Sequence, residues 1–142
     1  MARILVVDDD DTVREMLGQV LEAHGHSVAL AADGEEGLQA YIAEPAEVVV
    51  TDLIMPGKDG LTMIAELKRA YPEARIIAMS GSRSSLDLDL LDSAVKLGAA
   101  QGFSKPFELD GLLSAVDALL AAGLVAQPAE QPAPRPEREI RG

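Results

Sequence analysis

The sequence predicts an α/β sandwich: a five-stranded parallel sheet covered by helices on both faces. Three observations point there. Short apolar runs alternate with helical patterns five times along the chain. The middle runs lack polar alternation, as strands buried on both faces do. At 142 residues the chain fits one domain with room for a real core.

The elements follow in order. Arg3–Val7, Ser27–Ala31, Glu47–Thr51, Arg75–Met79 and Ala100–Ser104 read as strands. After the first, Val13, Met16, Leu17, Val20 and Leu21 keep i, i+3, i+4, i+7, i+8 spacing, and Gly25 stands where a C-cap belongs. Asp33 can cap a second helix carrying Leu38, Tyr41 and Ile42, stopped by Pro45. A third runs from Gly60 to about Tyr71, before Pro72. Leu86-Asp87-Leu88-Asp89-Leu90 alternates like a strand. Leu91, Ala94, Val95 and Leu97 nevertheless continue at helical spacing, which predicts a fourth helix over 86–97. Leu109, Leu112, Leu113, Val116, Leu119 and Leu120 mark a fifth.

A βα unit repeated five times implies right-handed crossovers and a doubly wound sheet. Five strands suggest the flavodoxin-like (βα)5 order 2-1-3-4-5. The compact domain is expected over residues 1–123. Residues 124–142 are expected to form a disordered tail, because from about Gln127 onward they hold four of the eight prolines and few apolar anchors.

Composition narrows the function. With no cysteine there is no disulfide, thiolate catalysis or zinc–thiolate site. A net charge of −12 argues against nucleic-acid binding, which needs clustered Lys and Arg. No signal-peptide pattern or bilayer-length apolar stretch occurs, so the expectation is a cytoplasmic protein without a membrane partner. His24 and His26 read as a helix end and a turn rather than a metal pair.

The chemistry lies at the strand ends. Asp8 and Asp9 end the first apolar run, Asp52 the third, Ser80 the fourth and Lys105 the fifth. In an open parallel sheet, groups beyond the carboxyl ends of neighbouring strands share one crevice. Three carboxylates, a hydroxyl and an ammonium there suit a divalent cation and a phosphoryl group. Asp8 to Asp11 are four acids in a row, more than helix capping needs; one of Asp10 or Asp11 can serve as the cap. The others repel one another, and a cation relieves that. Asp52 is not needed as a cap because Asp59 precedes Gly60, and its carboxylate can attack an activated phosphoryl group. Ser80 can donate to a phosphoryl oxygen. Lys105, before Pro106, can pair with Asp52 or with the phosphoryl group.

Val6-Val7-Asp8-Asp9, Asp52 with Met55-Pro56 and Asp59-Gly60, Ser80, and Lys105-Pro106-Phe107 resemble, in order and spacing, the landmarks of two-component response regulator receiver domains. The resemblance covers about residues 1–122. It implies that Asp52 is the phosphoacceptor and that Asp8, Asp9, Asp52 and the backbone carbonyl of Ile54 bind Mg²⁺. It implies that Ser80 and Lys105 contact the phosphoryl group. It implies a sensor histidine kinase or histidine phosphotransfer protein as donor, and a protein that assists its own phosphorylation and dephosphorylation rather than an enzyme acting on other substrates. A stand-alone, CheY-like protein is expected, reaching a downstream partner through the face of the fourth helix, fifth strand and fifth helix, where Asp87 and Asp89 lie.

Two departures stand out. Receivers usually carry Tyr or Phe three residues before the Lys; here that position is Gly102. Phe103 comes one place later, so alternation sends its ring to the other face of the sheet. The usual aromatic switch is therefore not expected to operate. Gly81 to Ser85 also looks longer than usual, and a mobile loop is expected there.

Rival readings make distinct demands. Asp8-Asp9-Asp10-Asp11-Thr12 also fits the pattern of haloacid-dehalogenase-like phosphatases, with Asp8 as nucleophile. That reading leaves Asp52 unexplained and lacks a later acidic metal-binding motif, since Asp110 and Asp117 fall inside an amphipathic helix. A receiver-like adaptor that is never phosphorylated would not require the complete acidic set. Flavin or nucleotide binding is disfavoured, because no Gly-rich phosphate loop follows the first strand.

Overall fold

The computed structural model describes residues 2–53, 55, 58–80, 85–104 and 109–126. The elements are β1 (Arg3–Val7), α1 (Asp11–Ala23), β2 (Ser27–Ala31), α2 (Gly34–Ala43), β3 (Val48–Asp52), α3 (Gly60–Ala70), β4 (Ile76–Ser80), α4 (Ser85–Leu97), β5 (Gln101–Ser104) and α5 (Leu109–Ala126). All five strands are parallel, in the order β2-β1-β3-β4-β5. The expected α/β flavodoxin-like arrangement is the observed one.

Strands β3 and β4 each begin and end one residue later than the hydrophobic pattern indicates. Asp52 and Ser80 thus close their strands rather than follow them. The pattern misses this because a polar residue at a buried strand end reads as the first residue of a loop. The alternating stretch at 86–90 is helical. Its leucines obey the longer 3.6-residue period that runs on to Leu97, and that period outweighs five residues of alternation.

Local chemistry fixes the helix starts. Asp10 caps α1, its Oδ1 accepting from the backbone N–H groups of Thr12 and Val13 at 2.9 and 3.2 Å. Asp33 caps α2 by accepting from Glu36 N–H. Glu36 in turn accepts from the N–H of Ala32, one residue before the cap, at 2.8 Å, which fixes the chain's entry into the helix. Asp59 caps α3 through Thr62 N–H at 2.7 Å. Each such cap contributes about 1 kcal/mol. Gly25, with φ of 98°, ends α1 in the left-handed region, where a side chain would be strained.

The sheet divides two cores. On one face Leu5, Val7, Val49, Ile76 and Ala78 meet Met63, Ile64 and Leu67 of α3 and Ala94 of α4. On the other, Ile4, Val6, Val48, Val50, Ile77 and Met79 meet Leu17 and Leu21 of α1 and Leu112 and Val116 of α5. Burying each large side chain contributes about 1.5–3 kcal/mol, which holds the strand ends in one plane. Among the described residues no helix is long and apolar enough to cross a membrane.

Tyr41 of α2 is buried edge-on against Tyr71, ring centroids 5.0 Å apart. Burial pushes its phenol from the ordinary 10.0 up to about 12. The neutral form is therefore favoured in the folded state. Stability attributable to Tyr41 is intact below pH 10 and declines as pH rises toward 12, because only the unfolded phenol ionises there. Chemical denaturation followed across this range should show that decline, and Tyr41→Phe should flatten it. An unchanged pH profile in the variant would refute the assignment.

Candidate functional site

Asp8, Asp9 and Asp52 each present a carboxylate oxygen, all lying within 4.8 Å of one another. The sheet order makes this possible: β1 and β3 are hydrogen-bonded neighbours, with Val7 opposite Thr51. The next residues of both strands therefore emerge side by side at the point where chain progression reverses direction across the sheet.

Each acid is held differently. Asp8 is fully buried. Its N–H donates to Ala31 O at 3.1 Å and its Oδ1 accepts from Asp10 N–H at 2.9 Å. Asp9 is exposed and forms the open side of the cluster. Asp52 is 6% exposed, and its Oδ1 accepts from Leu53 N–H at 2.9 Å. Leu53 N–H also points to Met79 O, at 3.0 Å, fixing the turn out of β3 against β4. Thr51, also buried, donates its hydroxyl to Asp52 O at 2.9 Å. The remaining acids of the run are accounted for: Asp10 caps α1, and Asp11 pairs with Arg14.

Ser80 ends β4 fully buried, next to Met79, which is opposite Asp52 in the strand register. Its hydroxyl thus belongs to the strand-end row adjoining the acids. The expected partners Lys105 and Ile54 lie outside the described residues, as do Pro106, Phe107, the 81–84 segment and the tail from 127. Asp89 is exposed on α4.

Oxygen-only donors at this spacing suit a hard divalent cation such as Mg²⁺. Two of the three carboxylates are removed from solvent, where their mutual repulsion is poorly screened and a cation has most to offset.

Gly60 sets how closely α3 approaches. A Cβ there would lie 2.2 Å from Asp52 O and 2.7 Å from Leu53 Cα. Its N–H donates to Leu53 O at 3.0 Å, closing the neck of the β3–α3 loop. Gly60→Ala must push α3 off the Asp52 backbone. The expected cost is about 2–4 kcal/mol, as for backbone overpacking elsewhere. Urea denaturation measures it, and a loss below about 0.5 kcal/mol would show that the loop yields freely.

Gly102 faces α4. A Cβ there would be 3.0 Å from Leu91 Cδ2, so Leu91 fills the space over the backbone. Phe103 packs into the opposite core with the α1 and α5 residues, as alternation requires.

Two residues of the site neighbourhood were not singled out from the sequence. Arg14 Nη1 donates to Asp8 O at 2.8 Å while its other nitrogen pairs with Asp11. The i, i+3 spacing of Asp11 and Arg14 was the available signal. Lys58 ties the loop after Asp52 to α2 and α3. Its partners are remote in sequence and left no local signature.

Fold and site together define a doubly wound α/β domain with an acidic pocket at its topological switch point. The chain belongs to the response regulator receiver domain family of two-component systems, whose family model matches residues 4–117. It is 38% identical over 118 residues to response regulator MprA of Mycolicibacterium vanbaalenii, covering 83% of this chain and 50% of the relative. It is 32% identical over 114 residues to sporulation initiation phosphotransferase F of Bacillus subtilis, covering 80% of this chain and 90% of the relative. A receiver domain protein from Clostridium thermocellum superposes with a TM-score of 0.82 at 29% identity, over 89% of this chain and all of that one. Transcriptional regulatory protein RprY of Bacteroides fragilis, at 35% identity, is matched over 49% of its length. The chain therefore spans about half the length of several curated relatives it matches.

Proposed function

We propose that this chain is a response regulator receiver that accepts a phosphoryl group on Asp52 in a two-component phosphorelay. The observation that carries the reading is the clustering of the Asp8, Asp9 and Asp52 carboxylates beside the strand end that bears Ser80. Asp8, Asp9, Asp52 and the carbonyl of Ile54 would hold Mg²⁺, which supplies charge neutralisation for the incoming phosphoryl oxygens.

The donor is a phosphohistidine of a sensor histidine kinase or histidine phosphotransfer protein. A carboxylate oxygen of Asp52 bonds to phosphorus as the P–N bond breaks, and the imidazole nitrogen leaves with the electron pair. Ser80 and Lys105 take the phosphoryl oxygens. Hydrolysis of the aspartyl phosphate resets the domain, so the protein assists its own phosphorylation and dephosphorylation. The relay operates in the cytoplasm.

Output proceeds by binding a downstream protein through α4, β5 and α5, or by passing the phosphoryl group on. The similarity to the Bacillus phosphotransferase over 90% of its length supports the second route. The receiver, expected over residues 1–123, is assigned through Ala126, because α5 continues three residues past that boundary.

The test is intact-mass analysis after incubation with Mg²⁺ and acetyl phosphate, followed by peptide mapping. The expected result is one phosphoryl group per chain, on Asp52. Label on Asp8 would favour the dehalogenase-like reading, and no uptake would favour a non-phosphorylated adaptor.

A further inference from the structure

The loop between Asp52 and α3 is gripped from two sides by one lysine. Lys58 Nζ lies 2.6 Å from Glu66 Oε1 of α3 and 3.2 Å from Glu35 Oε1 of α2. Its backbone joins the same contact. Gly34 N–H, at the start of α2, donates to Lys58 O at 3.2 Å. A Cβ on Gly34 would lie 2.4 Å from that oxygen, so α2 meets the loop backbone directly. The Lys58 side chain is only 21% exposed, unlike a lysine extended into solvent.

We propose that Lys58 is a positioning residue for the phosphoacceptor, clamping the chain ahead of α3 between α2 and α3 and so holding Asp52 in register with Asp8 and Asp9. The inference rests on the phosphoacceptor reading above and names a residue that reading does not use. Among its described residues the loop has polar anchors besides the lysine: the Leu53–Met79 bond where it leaves β3, the Gly60–Leu53 bond at its neck and the Asp59 cap of α3. None of these reaches α2. Lys58 alone, among the described residues of the loop, ties it to α2 as well. Removing the ammonium leaves Glu35 and Glu66 as like charges facing one point, so the α2–α3 clamp is lost and a weak, solvent-screened repulsion takes its place.

The charges persist at neutral pH. Hydrogen bonding to Glu66 holds the Lys58 ammonium above its ordinary range. Hydrogen bonds from Gln39 and then Lys58 hold Glu35 below the usual carboxylate range.

The experiment compares Lys58→Met, Lys58→Arg and Glu66→Gln with the wild type. Calorimetric titration gives the Mg²⁺ dissociation constant, and mass analysis gives the initial rate of acyl-phosphate formation from acetyl phosphate. Thermal unfolding without Mg²⁺ reports on the fold alone. Lys58→Met should weaken Mg²⁺ binding and slow phosphorylation by about threefold to tenfold, the scale of a partly shielded ion pair. Glu66→Gln should shift both in the same direction, and Lys58→Arg should recover most of the loss. An unchanged Mg²⁺ constant in Lys58→Met, or an arginine variant as impaired as the methionine one, overturns the inference. Should Lys58→Met not fold, the double variant Glu35→Gln/Glu66→Gln, which removes both anchors and keeps the lysine, decides on the same readouts. A wild type that binds Mg²⁺ yet takes no phosphate refutes the phosphoacceptor reading, while the Mg²⁺ arm still judges Lys58.

Discussion

Asp52→Asn should abolish phosphorylation by acetyl phosphate or a cognate kinase while leaving the fold in place. The two side chains are nearly isosteric. The hydrogen bond from Leu53 N–H to Oδ1 survives, because an asparagine oxygen accepts it equally. What disappears is the anionic oxygen that attacks phosphorus, together with one of three metal-facing charges. The expected result is no phosphoryl adduct in Mg²⁺ and acetyl phosphate, with a Tm within a few degrees of the wild type. Asp8→Asn, by contrast, should retain slow uptake on Asp52, because it removes a ligand and not the nucleophile. Full uptake by Asp52→Asn would end the assignment, and loss of labelling only in the Asp8 variant would transfer the nucleophile's role to Asp8.

The fold was legible because each level of the sequence agreed with the next. Strand runs without alternation demanded burial on both faces, and Asp10, Asp33, Asp59 and Gly25 punctuated the helices where the hydrophobic periods began or ended. The acid cluster was legible for a topological reason: strand order 2-1-3-4-5 forces the ends of β1 and β3 together, so Asp8 and Asp52 could be paired across 44 residues of sequence. What could not be read were contacts with no period and no topological rule. Lys58 meets Glu35 and Glu66 only because α2 and α3 lie side by side, and nothing in MPGKDG announces either partner. The Gly102 departure was visible as a missing side chain, and alternation correctly turned Phe103 to the α1–α5 face. That Leu91 of α4 fills the vacated space required the packed structure. Strand ends were misplaced by one residue at Asp52 and Ser80, since a buried polar residue looks like a loop residue until its backbone pairing is seen.

Mg²⁺ should stabilise the folded protein measurably, and Asp9→Ala should remove most of that effect. The unfolded chain offers no preformed cluster, so the ion binds the native state selectively and adds stability by mass action. At a free concentration one hundred times the dissociation constant the gain is about 2.7 kcal/mol, or roughly 10 °C in Tm for a domain of this size. Asp9 is the exposed member of the cluster and Asp8 the buried one, so Asp9 can be truncated without opening a cavity or stranding a buried partner. Losing one charged ligand should weaken Mg²⁺ binding by about tenfold to a hundredfold. The Tm of the metal-free variant should meanwhile stay close to that of the wild type. Glu15→Ala, which removes an exposed acid of α1 outside the cluster, serves as the control and should keep the full Mg²⁺ shift. Equal shifts in the wild type and Asp9→Ala would remove Asp9 from the ligand set. An equal loss in the Glu15 control would mean that the ion responds to the overall negative charge of −12 rather than to a built site.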